Sequence, residues 1–124
     1  MTVYLSIDEL IQINLEMVES FGGTAGVRDR GALEAAAARP QTGYYQDIIE
    51  EGAALCESLL QNHPFMDGNK RTAITATAVF YEMNGYILRF ADRELYDWLI
   101  HLYTTGRVTK QSLDAWFRSH VQNV

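Results

Sequence analysis

Several residues that can do chemistry lie close together in segment 63–71 of this sequence. His63 carries an imidazole, which can take a proton from an attacking hydroxyl group. Asp67 offers one hard carboxylate, which suits a Mg²⁺ ion that arrives with its nucleotide. Lys70 and Arg71 add two adjacent positive charges. These residue types in one short segment point to a reaction at a phosphate group.

The backbone of the same segment predicts an anion-binding loop. Pro64 disfavours the helical conformation at His63, so the preceding helix must end there. Gly68 and Asn69 tolerate a left-handed backbone best, and a helix is predicted to restart near Lys70. Such a turn directs successive N–H groups into a concavity, and the new helix adds the positive end of its dipole. We therefore expect a phosphate site here.

The charges near the start of that helix support the same interpretation. Lys70 and Arg71 oppose the helix dipole there, at a cost of about 0.3–1 kcal/mol each, and a bound polyanion would offset this cost. Taken singly, each residue has an ordinary role: a histidine at a helix end, a turn at Asp67 and Gly68, a core residue at Phe65, and two surface cations. Their occurrence in one string favours a functional site.

The hydrophobic spacing of the chain predicts helices around this loop. Ser6 and Glu9 form a capping box for a helix that ends at residues 22–23. Further helices are predicted to start at these positions: Asp29, Asp47, about Lys70, Asp92 and Thr109. The last of them is predicted to direct Val121 to the core, and residues 86–89 to form a short extended segment. The sequence thus predicts an all-α fold, a compact helical bundle in which the loop joins two central helices.

Composition sets further bounds. With 124 residues, of which 48% are hydrophobic, the chain is expected to form a single domain over residues 1–124. The single cysteine, Cys56, excludes an internal disulfide and fits a reducing, cytoplasmic location. It lies on a stretch that is expected to be buried and unreactive. No apolar run approaches the roughly 18 residues that a membrane span needs, so no membrane partner is expected.

The charge is unevenly distributed. The formal net charge is -6, which argues against direct binding of nucleic acid. Residues 1–62 hold 10 acids and 3 bases, whereas residues 63–124 hold 6 acids and 7 bases. Solvated helix faces explain much of this asymmetry. A metal hydrolase is a weak alternative, because the other two histidines, His101 and His120, fall within predicted helices.

Segment 63–71 reads H-P-F-M-D-G-N-K-R and resembles the signature of the Fic/Doc proteins, H-P-F-x-[D/E]-G-N-[G/K]-R. The surroundings resemble the death-on-curing branch of that family, the Doc toxins, over almost the whole chain. The order of the matching segments along the chain is also that of the Doc branch: residues 21–23, the helix at 31–40, the signature, and residues 84–85. The resemblance implies an all-α Fic fold, ATP with Mg²⁺ as cofactors, and transfer of part of the nucleotide to a hydroxyl group of a target protein.

The resemblance also implies roles for individual residues. His63 would be the general base, and Asp67 would hold Mg²⁺. Gly68 and Asn69 would form a backbone anion hole, with the Asn69 side chain also bonding phosphate. Lys70 and Arg71 would bind the nucleotide phosphates, the arginine with forked geometry and the lysine as a point charge.

Two other segments receive roles from the same resemblance. Phe65 would pin the loop to the core. Residues 41–46, predicted as an exposed loop, resemble the flap that docks the target segment in this family. Gly43, Tyr44 and Tyr45 are the predicted contact residues, and a packing role for the two tyrosines remains open.

The choice between two transfer reactions depends on a few positions. Fic enzymes that transfer AMP carry glycine at the position of Lys70 and arginine at the position of Ile74. Lysine and the absence of that arginine are features of the Doc branch, which resembles a kinase, so phosphoryl transfer is favoured. In contrast, Pro64 and Gly68 resemble the general Fic signature, so AMP transfer stays the alternative.

Regulation is expected to come from another chain. Self-inhibited Fic proteins carry the pattern [S/T]-x-x-x-E-[G/N]. The only Glu-Gly pair of this chain is Glu51-Gly52, and the position four residues before Glu51, where the pattern needs Ser or Thr, is Asp47. The Doc resemblance therefore implies an antitoxin whose disordered tail folds into a groove on the toxin. It also implies elongation factor Tu as the target and arrest of translation. A catalytically inactive Fic fold that serves as a binding module is the remaining alternative.

Overall fold

The computed structural model describes residues 1–124 and confirms the predicted all-α fold. Helices occupy most of the chain, with one 3₁₀ helix and one small sheet. None of the helices combines the length and the hydrophobicity that crossing a bilayer requires. The elements in chain order are α1 (Ile7–Phe21), α2 (Arg30–Ala38), the 3₁₀ helix (Arg39–Thr42), α3 (Ile48–Asn62), α4 (Asn69–Met83), β1 (Tyr86–Leu88), α5 (Asp92–Thr105), α6 (Lys110–His120) and β2 (Val121–Asn123).

Helix α3 is the central helix of the bundle, and α2, α4 and α6 pack around it. Nine of its twelve residues from position 49 to position 60 are buried, and many of these nine are small. At Gly52 the ring of Tyr81 lies so close that a Cβ atom would overlap it. The Tyr81 hydroxyl donates to the carbonyl oxygen of Ile49 at 2.8 Å. This close contact fixes α4 against α3, and therefore the loop that joins them.

The predicted helix starts are largely confirmed. Ser6 Oγ accepts the Glu9 N–H at 3.1 Å, and Glu9 Oε1 accepts the Ser6 N–H at 2.9 Å, which completes the capping box. The side chains of Asp29, Asp47 and Thr109 each accept an N–H group from the first turn of the helix that follows. The residue types that satisfy unpaired N–H groups thus mark these starts in the sequence.

Two predicted boundaries are wrong. Ala91 occupies the cap position of α5 and Asp92 lies within the helix, because the Glu94 carboxylate accepts the Ala91 N–H at 3.4 Å. Helix α6 ends at His120, and Val121 leaves it in an extended conformation to enter β2. Strand β2 pairs antiparallel with β1, so the extended segment predicted near residue 86 finds its partner at the end of the chain.

Both ends of the chain meet at the turn after α4. The Val3 N–H donates to Asn84 Oδ1 at 2.8 Å, and Asn84 Nδ2 donates to the Val3 carbonyl oxygen at 2.8 Å. The Val124 N–H donates to the carbonyl oxygen of Gly85 at 3.0 Å. The turn at residues 84–85 thereby joins the two termini.

A stack of rings attaches α5 to α6. Trp98 of α5 stacks on Trp116 of α6 with ring centroids 4.0 Å apart. His120 stacks on the Trp116 ring at 3.9 Å, and its Nε2 lies 2.9 Å from a carboxylate oxygen of Glu94. Leu102 is the one buried residue of α5. The ring stack and the partly buried Leu95 and Leu99, which pack against the core, therefore contribute much of the attachment of this helix.

We predict that the His120–Glu94 pair makes stability depend on pH. Partial burial alone would lower the pKa of His120, but hydrogen bonds with Glu94 and with the Trp116 carbonyl raise it overall. A raised folded-state pKa means that the stabilisation is complete below the ordinary histidine pKa of about 6.5 and is lost as the pH rises through the raised value. Melting temperatures measured between about pH 5.5 and pH 8 should therefore fall more steeply for the wild type than for His120→Gln.

His101 provides the matched control, because it is exposed on α5 and forms no ion pair with a carboxylate. His101→Gln should keep the pH dependence of the wild type. Identical pH profiles for the wild type and His120→Gln would contradict the prediction.

Candidate active site

The loop between α3 and α4 forms a polar cavity of about 340 Å³. Only one of its lining residues, Met66, is hydrophobic. The remaining lining residues are His63, Asp67, Gly68, Asn69, Lys70 and Arg71. The structure thus brings together, around one cavity, the residues that the sequence marked for proton transfer, metal binding and phosphate binding.

Segment 26–29 pairs with the loop from outside. Val27 forms an antiparallel bridge with Phe65, and the Met66 N–H donates to the carbonyl oxygen of Gly26 at 2.9 Å. The Phe65 side chain is 1% exposed and belongs to the hydrophobic core, where the sequence had assigned it as the loop anchor. The loop is therefore held on one side by backbone pairing and on the other by burial.

Asn69 closes the loop from inside. Its Oδ1 accepts the Phe65 N–H at 3.0 Å, and its Nδ2 donates to the Phe65 carbonyl oxygen at 3.0 Å. The sequence interpretation gave this side chain a bond to phosphate, but the structure uses its oxygen and one of its N–H groups to hold the backbone. One amide N–H remains for a ligand in the cavity.

Asn14, which was not among the residues predicted for the site, supports the loop from α1. This side chain is 2% exposed, and its Nδ2 donates to the Asp67 carbonyl oxygen at 2.9 Å and to Thr72 Oγ1 at 3.1 Å. Its position supplies a signal in the sequence, because it lies four residues from both Leu10 and Val18 on the apolar face of α1. An asparagine there needs a buried polar partner.

His63 is the only residue other than glycine with a positive φ angle. It caps α3 with φ 45° and ψ 59°, and it is exposed. A left-handed conformation costs a residue with a Cβ atom about 1–2 kcal/mol, so the surroundings must hold it in place. The guanidinium group of Arg28, a second residue that the sequence analysis missed, donates to the carbonyl oxygens of Asn62 and His63 at 3.0 and 2.8 Å.

The Asp67 carboxylate is oriented by residues that follow α1. Its Oδ2 accepts the Thr24 N–H at 2.7 Å, and a Cβ atom on Gly23 would lie 2.8 Å from Asp67 Cβ. No group of three or more acidic, histidine or cysteine side chains is arranged to hold a metal. A single oriented carboxylate fits Mg²⁺, which usually takes one or two carboxylates and completes its shell with water and substrate phosphates.

The start of α4 offers unpaired N–H groups to an anion. Gly68 occupies the cap position with φ 75° and ψ 19°, and no side chain caps the helix. Gly68 also lies close to α1, since a Cβ atom there would come within 3.4 Å of both Asn14 and Val18. The N–H groups of the first turn therefore remain for a ligand, where the helix dipole favours a negative charge.

Lys70 and Arg71 each lie over an aromatic ring at the edge of this cavity. Lys70 Nζ is 4.6 Å from the centroid of the Tyr103 ring, and the Arg71 guanidinium is 3.8 Å from that of the Phe21 ring. Neither cation takes part in an ion pair of the chain. Their charge is thus available to an anion that enters the cavity.

A second cavity of about 600 Å³ continues from the first between α1, α4 and α5. Lys70 and Arg71 line both cavities, so they form the boundary between them. The rest of the lining is mainly apolar and consists of Met17, Phe21, Ile74, Thr75, Phe90, Asp92, Leu95, Tyr96 and Leu99. We call this second cavity the apolar groove.

The structure does not support the predicted flap. Gly43, Tyr44 and Tyr45 precede the start of α3, whereas His63 follows its end, and a helix of 15 residues is about 22 Å long. Tyr44 is 84% exposed, while the Tyr45 hydroxyl accepts a hydrogen bond from Arg39 Nε at 2.7 Å and so has a packing role. The segment that meets the loop lies instead between α1 and α2.

The backbone strain at His63 leads to a stability prediction. We expect His63→Gly to be more stable than His63→Ala by about 1 kcal/mol, because glycine adopts the left-handed conformation without a Cβ clash. The order of stabilities should reverse at Asn62, the exposed last residue of α3, where Asn62→Ala should be more stable than Asn62→Gly. Urea denaturation of the four variants measures both differences, and an alanine variant at position 63 as stable as the glycine variant would contradict the assignment of strain.

Comparison with known proteins identifies the family. The sequence profile of the Fic/DOC family matches residues 4–81. Toxin Doc of Mycolicibacterium smegmatis is 49% identical over 71 residues, which cover 53% of this chain and 55% of that relative. Protein kinase doc of Escherichia phage P1 is 31% identical over 114 residues, which cover 89% of each chain. The chain spans about half of the first relative and most of the second. With its 63–71 loop between two central helices, the chain belongs to the Fic/DOC family and to its Doc branch.

Proposed function

We propose that this protein is the toxin of a toxin–antitoxin pair and that it transfers the γ-phosphoryl group of ATP to a Ser or Thr hydroxyl of a target protein. Elongation factor Tu is the target we propose, with arrest of translation as the outcome. One observation carries the proposal: an exposed histidine, an oriented carboxylate, an uncapped helix start and two cations surround the same cavity. The relatives named Toxin Doc and Protein kinase doc support it.

The cavity suits a nucleotide triphosphate. The free N–H groups at the start of α4 and the charges of Lys70 and Arg71 provide donors for phosphate oxygens. Asp67 would hold Mg²⁺, which when bound neutralises charge on the phosphates. Because phosphoryl transfer depends mainly on positioning and electrostatics, these groups would supply most of the catalysis.

His63 would act on the target hydroxyl. The hydroxyl oxygen attacks the γ-phosphorus, the new O–P bond forms as the bond to the β–γ bridging oxygen breaks, and ADP leaves. The hydroxyl proton passes to the neutral imidazole of His63, whose exposed position at the cavity gives a target access. This role requires the imidazole to stay near the mouth of the cavity, at the end of α3.

AMP transfer is the second candidate, because the loop matches the general Fic signature at Pro64 and Gly68. It would use the same cavity with the α-phosphorus at the reacting position.

Two features favour phosphoryl transfer over AMP transfer. Lys70 adds a cation where AMP-transferring relatives have glycine, and Ile74 is 6% exposed and apolar where they carry an arginine. These features would bring the γ-phosphate rather than the α-phosphate to His63.

Labelled ATP distinguishes the reactions. We predict that the protein, incubated with Mg²⁺ and purified elongation factor Tu, transfers label from the γ position and not from the α position. His63→Ala should reduce this transfer at least 100-fold, because it removes the general base. Chelation of Mg²⁺ should abolish it.

Other results would change the assignment. Label from the α position alone would establish AMP transfer. If the protein transferred no label from either position but still bound its partner protein, an inactive binding module would be favoured. Label from the γ position that appears equally with His63→Ala would remove His63 from its proposed role.

We propose that the apolar groove binds a segment of the antitoxin. Most of its lining is apolar, and Lys70 and Arg71 provide positive charge at the end that meets the phosphate cavity. An amphipathic helix with an acidic residue at that end complements both features. The exposed side chain of Tyr96, at 61%, and the partly buried Leu99 lie on the α5 wall of the groove.

A matched pair of variants tests this groove. Tyr96→Arg should stay as toxic as the wild type in a growth assay, because Tyr96 does not line the phosphate cavity. Co-expression of the cognate antitoxin, however, should no longer restore growth. Ile100→Arg changes another exposed residue of the same helix that does not line the groove, so neutralisation should persist. Neutralisation of both variants, or of neither, would count against the groove.

A further inference from the structure

One residue, Arg28, donates to three successive carbonyl oxygens at the end of α3. Its Nη2 donates to the Asn62 oxygen at 3.0 Å and its Nε to the His63 oxygen at 2.8 Å. Its backbone N–H donates to the Pro64 oxygen at 2.8 Å. No other residue makes a hydrogen bond to the first two of these oxygens outside the helix bonds. The side chain therefore contacts the backbone on both sides of the His63 peptide unit.

The chemistry of this contact suits a helix end. The last carbonyl groups of a helix have no partner within it, and they carry the negative end of the helix dipole. A guanidinium group offers charged donors in a fixed plane, so it can take two neighbouring carbonyl oxygens at once. In this position it satisfies orphan groups and stabilises the turn in which His63 adopts its left-handed conformation.

The backbone around Arg28 is fixed independently of its side chain. The preceding residue, Val27, bridges Phe65, and the following residue, Asp29, donates its N–H to the Pro64 oxygen at 3.1 Å and caps α2. Arg28 is exposed and lines neither cavity. Removal of its side chain would thus leave the pairing of the loop in place while it releases the backbone at His63.

We propose that Arg28 is a positioning residue, which holds the left-handed backbone of His63 and thereby keeps the imidazole at the phosphate cavity. Its charge acts on the carbonyl oxygens and not on the substrate. The inference rests on the proposed function for its catalytic consequence, but its structural part concerns the conformation of His63 alone.

The test compares Arg28→Ala, Arg28→Lys and the control Arg30→Ala. Arg30 is an exposed arginine two residues away, and its only ion pair is a 3.9 Å contact with Glu34 on the same helix. We expect Arg28→Ala to lower kcat for phosphoryl transfer about 10- to 100-fold, as for a misplaced catalytic group, with KM for ATP changed less than about twofold. Arg28→Lys should recover only part of kcat, because an ammonium group lacks the fork. Arg30→Ala should leave kcat and KM unchanged.

Two further readouts separate positioning from a general loss of structure. Millimolar guanidinium ion should restore part of kcat in Arg28→Ala and have no effect on Arg30→Ala. The backbone NMR chemical shifts of His63, which report its φ and ψ angles, should leave their left-handed values in Arg28→Ala, while the shifts of α1 and α6 residues stay as in the wild type.

The outcomes decide the inference separately from the function. Unchanged kcat and unchanged His63 shifts in Arg28→Ala would overturn the proposal while leaving the transfer reaction intact. Shift changes throughout the chain, without rescue by guanidinium, would also overturn it, since Arg28 would then support the whole fold. If the wild type transfers no phosphate, the proposed function fails, and the His63 shifts still decide whether Arg28 holds this residue.

Discussion

The constraint on which the site depends is the end of α3 at Pro64. A proline there forbids another turn of the buried central helix, so the chain must turn at His63 and leave carbonyl groups without helical partners. Packing around Gly52 fixes α4 against this same helix. The loop therefore has to join the C-terminal end of α3 to the N-terminal end of α4 over a short, fixed distance, and this distance limits the conformations that the loop can adopt.

The loop meets this constraint with contacts from three directions. Asn69 bonds Phe65 within the loop, Asn14 reaches it from α1, and residues 26–29 pair with it from the α1–α2 connection. The result is a cavity whose polar groups stand on fixed backbone, with strain concentrated at one residue, His63. Preorganised donors of this kind are what electrostatic catalysis needs, because they require no rearrangement when charge develops.

Much of this arrangement could be predicted from the sequence, because it depends on local chemistry. Capping residues such as Ser6 and Asp47 satisfy N–H groups within their own helix, so they mark its start wherever the helix lies. The same holds for the helix break at Pro64 and for the left-handed turn at Gly68.

The part of the arrangement that could not be predicted depends on partners that are distant in the chain. The pairing of β1 with β2 and the contacts of Asn14 and Arg28 cross tens of residues. The flap assignment is likewise not supported by the structure, because the length of α3 separates residues 43–45 from the loop.

The meeting of the two chain ends at residues 84–85 has a consequence for how this protein can be handled. Val3 and Val124 are both bonded to this turn, which follows the C-terminal end of α4, whereas the phosphate cavity lies at the N-terminal end of the same 15-residue helix. The two sites are therefore separated by roughly 22 Å along α4. Within residues 1–124, a short linker could join Val3 to Val124 and a new opening could be made in an exposed connection, because neighbouring ends favour circular permutation. A fluorescent label or surface tether attached at Val3 or Val124 would likewise sit at the far end of α4 from His63.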